Sequence, residues 1–253
     1  MSQNGYVQSE IKDKVFTVTF YNPRANSLTI GLMLRLMKEI NDASVNDDVK
    51  LVIIRSEGDG AFCAGASLDE LLTIDRFEKA KEFFLSFGKL ILSIVNCPKP
   101  VIARVHGKIV GGGVGLVAAC DYAIAHKDAS LRLSELLLGI GPFVISPAVI
   151  HKIGYAQFSN LSLDTEWRDA QWGKNHNLYS KVVDTIEELD QEIQNLTSKL
   201  VDIHLNTFEK IKSISWANAY QWEKIIDERA EISASLILSE IASGRLQQRL
   251  KQI

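Results

Sequence analysis

The sequence predicts an α/β fold with a helical C-terminal region, and three observations carry that expectation. Short β-branched runs stand ahead of glycine-containing turns at 51–55 and again at 101–105. Each is followed by residues with helical apolar spacing. Beyond about residue 190 the strand-like runs stop and only helical periodicity continues. Strand, turn and helix units in this order require crossovers, which collect backbone N–H groups at helix starts beside strand ends.

Taken in order, Val15 to Phe20 alternates apolar residues with threonine, as a half-buried strand does, and Asn22-Pro23 ends it. From Leu28 to Ala43, Leu32, Leu36 and Ile40 line one helix face with Met33 and Met37 beside them. Residues 51–55 (LVIIR) read as a buried strand running into Glu57-Gly58-Asp59-Gly60, and a helix is expected from about Leu68. VIARV (101–105) leads to the glycines 111–113 and an apolar helix from Val114 to Ala119. Short strands at 122–125 and 131–133 follow, and helices cover the remainder from about 190.

At 253 residues the chain can form one domain with an appendage or two small domains. Charged residues make up 23% and hydrophobic residues 46%, the balance of a folded globular protein. A formal charge of −3 supplies no general basic field, which argues against nucleic acid or an anionic membrane as the main partner. Cys63, Cys97 and Cys120 have no metal-binding spacing and are expected as reduced, packed thiols. No secretory leader or long apolar run is visible, and a cytoplasmic location is expected.

Three segments carry chemistry. In 61–72 (AFCAGASLDELL), Ser67 and Glu70 have the spacing of a capping box, which starts a helix at Ser67 and leaves the N–H of Ala66 just ahead of it as an anion donor. Gly65 can equally serve only to make a tight turn. In 107–125, the glycine run lets a ligand approach the backbone, with Gly112 the natural donor; glycines for close packing explain the same pattern. In 133–143 (LSELLLGIGPF), Glu135 is the only charge between Arg132 and His151, a setting that raises a carboxyl pKa toward neutral, although a lone glutamate is also compatible with solvent or with an ion pair to Arg132.

Together, in order and spacing, these segments resemble the crotonase, or enoyl-CoA hydratase/isomerase, family from about residue 10 to residue 190. The resemblance implies a (β-β-α) spiral core over 1–190 that binds acyl-CoA, and a helical region over 191–253 through which trimers or paired trimers assemble. It implies an oxyanion hole from the N–H groups of Ala66 and Gly112, with Glu135 as acid/base. Substrate contacts are expected from Arg24 and Ala25 in the turn after the first strand, from Ala64, Ser67 and Leu68 around the first donor, and from Gly111 and Phe143. Arg24 could meet the CoA phosphates, and Lys108 is a second basic candidate; both are equally readable as solvated surface. CoA enters as part of the substrate, and neither a separate cofactor nor a metal is expected.

The family's hydratases use two glutamates, and the earlier position is Gly115 here. Isomerisation by one glutamate is therefore favoured over hydration. A homologue that binds acyl-CoA without turnover is the alternative. Dehalogenation needs an aspartate where Phe143 stands. A third reading is a dinucleotide-dependent oxidoreductase, since residues 113–118 fit G-x-G-x-x-A after a strand. Phe83, Phe84 and Phe87 could line an acyl pocket or form a packed stripe, and His106 is expected in a hydrogen-bonded structural role. Trp216, Trp222, Ile225 and Ile226 could be buried between subunits or against the core.

Overall fold

A computed structural model describes residues 5–250. The strands are β1 (Tyr6–Lys12), β2 (Val15–Tyr21), β3 (Leu51–Ser56), β4 (Val101–Val105), β5 (Ile109–Val110), β6 (Tyr122–His126), β7 (Leu131–Arg132) and β8 (Lys181–Val183). The helices are α1 (Ile30–Val45), α2 (Leu68–Leu71), α3 (Phe77–Asn96), α4 (Gly112–Ala119), α5 (Ser146–Asp164), α6 (Ala170–Asn175), α7 (Ile186–Leu200), α8 (Leu205–Ser215), α9 (Trp222–Ile237) and α10 (Glu240–Leu250). One sheet has the order β1-β2-β3-β4-β6-β8, antiparallel only between β1 and β2, and β5 pairs with β7 in a small parallel sheet.

Alternation decides which side of the large sheet each residue serves. On β4, Val101, Ala103 and Val105 enter the main core, while Ile102 joins Ile53, Ile124 and Val183 under Leu189 and Ile193 of α7. Arg104 is buried on that second side because Asp190 of α7 pairs with its guanidinium, Nη2 lying 2.9 Å from Oδ2. Both faces of β4 are thus covered, which explains its unbroken apolar reading.

β5, α6 and β8 were not expected, and three further elements differ from expectation. β1 was not expected, and most of it is exposed; it joins β2 through Asp13 and Lys14, both at positive φ, as a tight hairpin turn requires. The helix expected from Leu68 is a single turn, and the long helix begins only at Phe77. The stretch after residue 143 contains α5, interrupted at Gly154 (φ 76°), whose distal half exposes Tyr155 and Leu163 and so hides any apolar face from the sequence.

α9, α10 and the turn before them contribute to the main core cluster. Trp216, Trp222 and Ile226 are buried within this one chain, and Ile226 lies where a side chain on Gly88 of α3 would stand. No helix among the described residues is long and apolar enough to cross a membrane.

Candidate active site

A cavity of about 520 Å³ opens where the turn after β2, the turn before α2, the start of α4 and the segment 132–145 meet. Its scale suits a small organic ligand. Asn26 holds the first two walls together from a left-handed conformation (φ 55°): its Nδ2 donates to the carbonyls of Glu57 (2.9 Å) and Ala61 (2.8 Å), and its Oδ1 accepts from the N–H of Asn22. The N–H of Ala64 donates to Ala25, 3.1 Å away.

Leu28 and Ala66 form a parallel bridge in which Leu28 does both jobs: its N–H donates to Gly65 (2.7 Å) and its carbonyl accepts from Ser67 (3.0 Å). The N–H of Ala66 therefore points away from that bridge. Gly65, at φ 82°, lies against the other turn; a Cβ there would stand 2.5 Å from the Val110 carbonyl oxygen and 3.1 Å from the Gly112 nitrogen. Gly112 is the first residue of α4, so its N–H has no acceptor inside the helix. Ala66 and Gly112 both line the cavity. Only the second heads a helix with appreciable dipole, since α2 is one turn long.

Capping at Ser67 is half of what was expected. Its Oγ accepts from the N–H of Glu70 at 3.3 Å, but the Glu70 carboxylate accepts from the N–H of Ile30 at 2.9 Å rather than returning to Ser67. Ser67 is itself buried and is not among the residues that line the cavity.

Glu135 opens the 3-10 turn Glu135–Leu138 and lines the cavity. A side chain on Gly111 (φ 51°) would meet its Oε1 at 2.8 Å, so the carboxylate lies against the residue preceding the Gly112 donor. The residue is half-buried, but its Oε2 is fully occluded and has no hydrogen-bond partner among the described residues. Burial pushes its pKa up to about 7, partly offset by the N–H groups of Glu135 itself and Ser134. The Arg132 guanidinium lies over the Trp167 ring, 4.5 Å from its centroid, and Lys108 approaches the same ring at 5.4 Å.

Arg24, Ala25, Ala64, Leu68, Gly111 and Phe143 all line the cavity. Arg24 is paired with Asp69 at 3.3 Å, both side chains largely exposed. Phe84 and Phe87 reach the wall, whereas Phe83 is buried in the core behind them. His106 departs from its expected role: both ring nitrogens are occluded without a hydrogen-bond partner among the described residues, and burial, then Arg104 and Arg55, lowers its pKa to about 4. The cysteines are free and buried. Gly113, the first glycine of the dinucleotide pattern, is used for packing, since a Cβ there would lie 2.4 Å from the Cys63 carbonyl oxygen.

Trp167, Ile145 and Ser233 also line the cavity and were missed. Trp167 is brought in by its neighbour Arg168, whose backbone exchanges two hydrogen bonds with Leu131, each 2.8 Å. No local sequence signal announces that pairing.

A family model described as enoyl-CoA hydratase/isomerase matches residues 10–237, well past residue 190, where the resemblance was expected to end. The chain is similar to a peroxisomal Delta(3,5)-Delta(2,4)-dienoyl-CoA isomerase of Arabidopsis thaliana, 29% identical over 206 residues, covering 75% of this chain and 73% of that protein. It is also similar to a probable enoyl-CoA hydratase of Bacillus subtilis, 28% identical over 240 residues and covering 94% and 93% of the two chains. Among solved structures, an enoyl-CoA hydratase from Mycobacterium avium superposes with a TM-score of 0.87 at 26% identity, covering 97% and 96%.

Proposed function

The chain belongs to the enoyl-CoA hydratase/isomerase family, and on that premise we propose that it isomerises enoyl-CoA thioesters with Glu135 as the single proton carrier. The N–H groups of Ala66 and Gly112 hold the thioester oxygen. With a 3-enoyl thioester, the Glu135 carboxylate takes a proton from C2, and the electron pair of that C–H bond moves toward the thioester carbonyl as a dienolate. The two donors stabilise the charge as it develops, a contribution of several kcal/mol when donors are preorganised. The Glu135 carboxyl group then returns its proton to C4, and the double bond ends between C2 and C3. No water is consumed, and CoA takes part only as the substrate's carrier.

The observation that supports this most is the occluded, partnerless Oε2 of Glu135 beside Gly111, poised near neutral pH. Hydration is a second reading, because two of the three similar proteins described above are named hydratases.

The test compares native protein with Glu135→Gln on 3-enoyl-CoA and 2-enoyl-CoA. Loss of isomerisation by ~10²-fold or more is expected. Equal turnover by the two proteins would remove Glu135 from the mechanism. Acyl-CoA binding by calorimetry without turnover of any enoyl thioester would mark a homologue that binds and does not catalyse.

A further inference from the structure

We infer that Arg132 and Lys108 recognise a carboxylate at the far end of the acyl chain, so that the preferred substrate is the monothioester of an unsaturated dicarboxylic acid. The inference rests on the enoyl-CoA reading above and names the class of acyl group taken. Among the described residues, five charged side chains line the cavity: Arg24, Asp69, Lys108, Arg132 and Glu135. Arg24 and Asp69 answer each other in an exposed ion pair at 3.3 Å. Lys108 and Arg132 then place positive charge in excess over the single carboxyl group of Glu135, in a chain whose formal charge is −3.

Strand alternation aims both basic side chains at the cavity. Leu131 and Leu133 are buried in the core, which turns Arg132 to the opposite side of the chain, and buried Ile109 does the same for Lys108 and Val110. Val110 of β5 stands opposite Arg132 of β7. Trp167 gathers the two cations on one ring, the Arg132 guanidinium 4.5 Å and the Lys108 ammonium 5.4 Å from its centroid. Two like charges so placed repel, and an anion between them relieves the repulsion. A guanidinium lying over an indole presents its N–H donors at the edge of the stack, the geometry that grips a carboxylate through two parallel hydrogen bonds.

The pair stands beside the reacting carbons. The carbonyl of Arg132 accepts from the N–H of Gly111 at 3.0 Å, and Gly111 both precedes the Gly112 donor and lies against the Glu135 carboxylate. The end of an acyl chain reaches this place directly, whereas the phosphates of CoA are held off from the thioester by the whole pantetheine arm. An uncharged tail of the same length would displace water from both cations and return nothing.

Matched pairs test this on the whole protein. 3-Hexenedioyl-CoA and 3-hexenoyl-CoA share a carbon chain and differ in the terminal carboxylate; their saturated counterparts, adipyl-CoA and hexanoyl-CoA, report binding without turnover. Native protein should isomerise the first with kcat/KM on the order of ten-fold or more above the second, and calorimetry should show adipyl-CoA binding tighter than hexanoyl-CoA by a similar factor. Arg132→Met combined with Lys108→Met should bring both ratios to about one. The same acids on pantetheine, which carries no phosphate, separate the two anions. A preference that persists on pantetheine in native protein and is lost in the paired variant supports the acyl carboxylate.

A paired variant that weakens both CoA thioesters alike and spares both pantetheine thioesters would assign the cations to CoA phosphate and overturn the inference. Equal binding of adipyl-CoA and hexanoyl-CoA by native protein would overturn it too, and that measurement decides should the variant fail to fold. Absence of isomerisation by native protein, with the adipyl preference kept, would overturn the isomerase reading instead and leave the carboxylate site standing.

Discussion

Glu135 shows how one side chain trades stability against chemistry. Its carboxyl group is raised from an ordinary value of 4.5 to about 7, chiefly by burial. Below about pH 4.5 the folded and unfolded chains both hold the proton. Between there and about pH 7 the unfolded chain ionises first, so the folded state loses stability as pH rises, and the loss levels off above about 7. Glu135→Gln should therefore stabilise the protein by on the order of 2–3 kcal/mol at pH 8 and by almost nothing at pH 4, as urea melts at the two pH values would show. A base must be unprotonated to act, so kcat/KM of native protein should climb to a plateau through an ionisation near pH 7. The apolar company of this glutamate was legible in residues 133–143. Its partnerless oxygen was not, because the occluding groups come from elsewhere in the chain.

At the scale of elements, Asp121 joins pieces that the sequence keeps far apart. It accepts from the N–H of Val101 at the start of β4 (2.7 Å), from Lys212 of α8 (2.7 Å) and from the indole N–H of Trp216 (2.8 Å). Lys212 is buried and also donates to the carbonyls of Ile94 and Lys99. Removing the carboxylate strands a buried ammonium, and Asp121→Ala should cost about 3–5 kcal/mol in denaturant unfolding. A loss below 1 kcal/mol would show that the carboxylate adds little to what holds α8. Periodicity made β2 and α1 legible, and unbroken apolar runs made β3 and β4 legible. It failed for β1, which is mostly exposed, and for α5, where Gly154 breaks the repeat.

For the whole molecule, the large apolar residues Trp216, Trp222 and Ile226 serve the chain's own core, so they leave assembly to other surfaces. Ile211 and Ile214 on α8 and Tyr220 in the turn after it are 54%, 78% and 78% exposed. Exposed large apolar residues are candidates for interaction surfaces, and we propose that these contribute to a trimer or paired trimers. Light scattering should then report a multiple of three of the 28.2 kDa chain mass. A single-chain mass at micromolar concentration would refute assembly, and Ile214→Lys should lower the mass if this surface takes part.

The sequence by itself determined β2, α1, β3, β4 and the helical C-terminal region, the two turns that hold Ala66 and Gly112, and the one glutamate in apolar surroundings. Those are local properties, encoded by spacing, capping and glycine placement within a dozen residues. Tertiary structure alone decided that the two turns touch, that Ser67 turns inward, and that Arg132 and Lys108 gather on Trp167. Each of these depends on close approach between segments distant along the chain, and periodicity within one segment carries no record of which side chain will meet it.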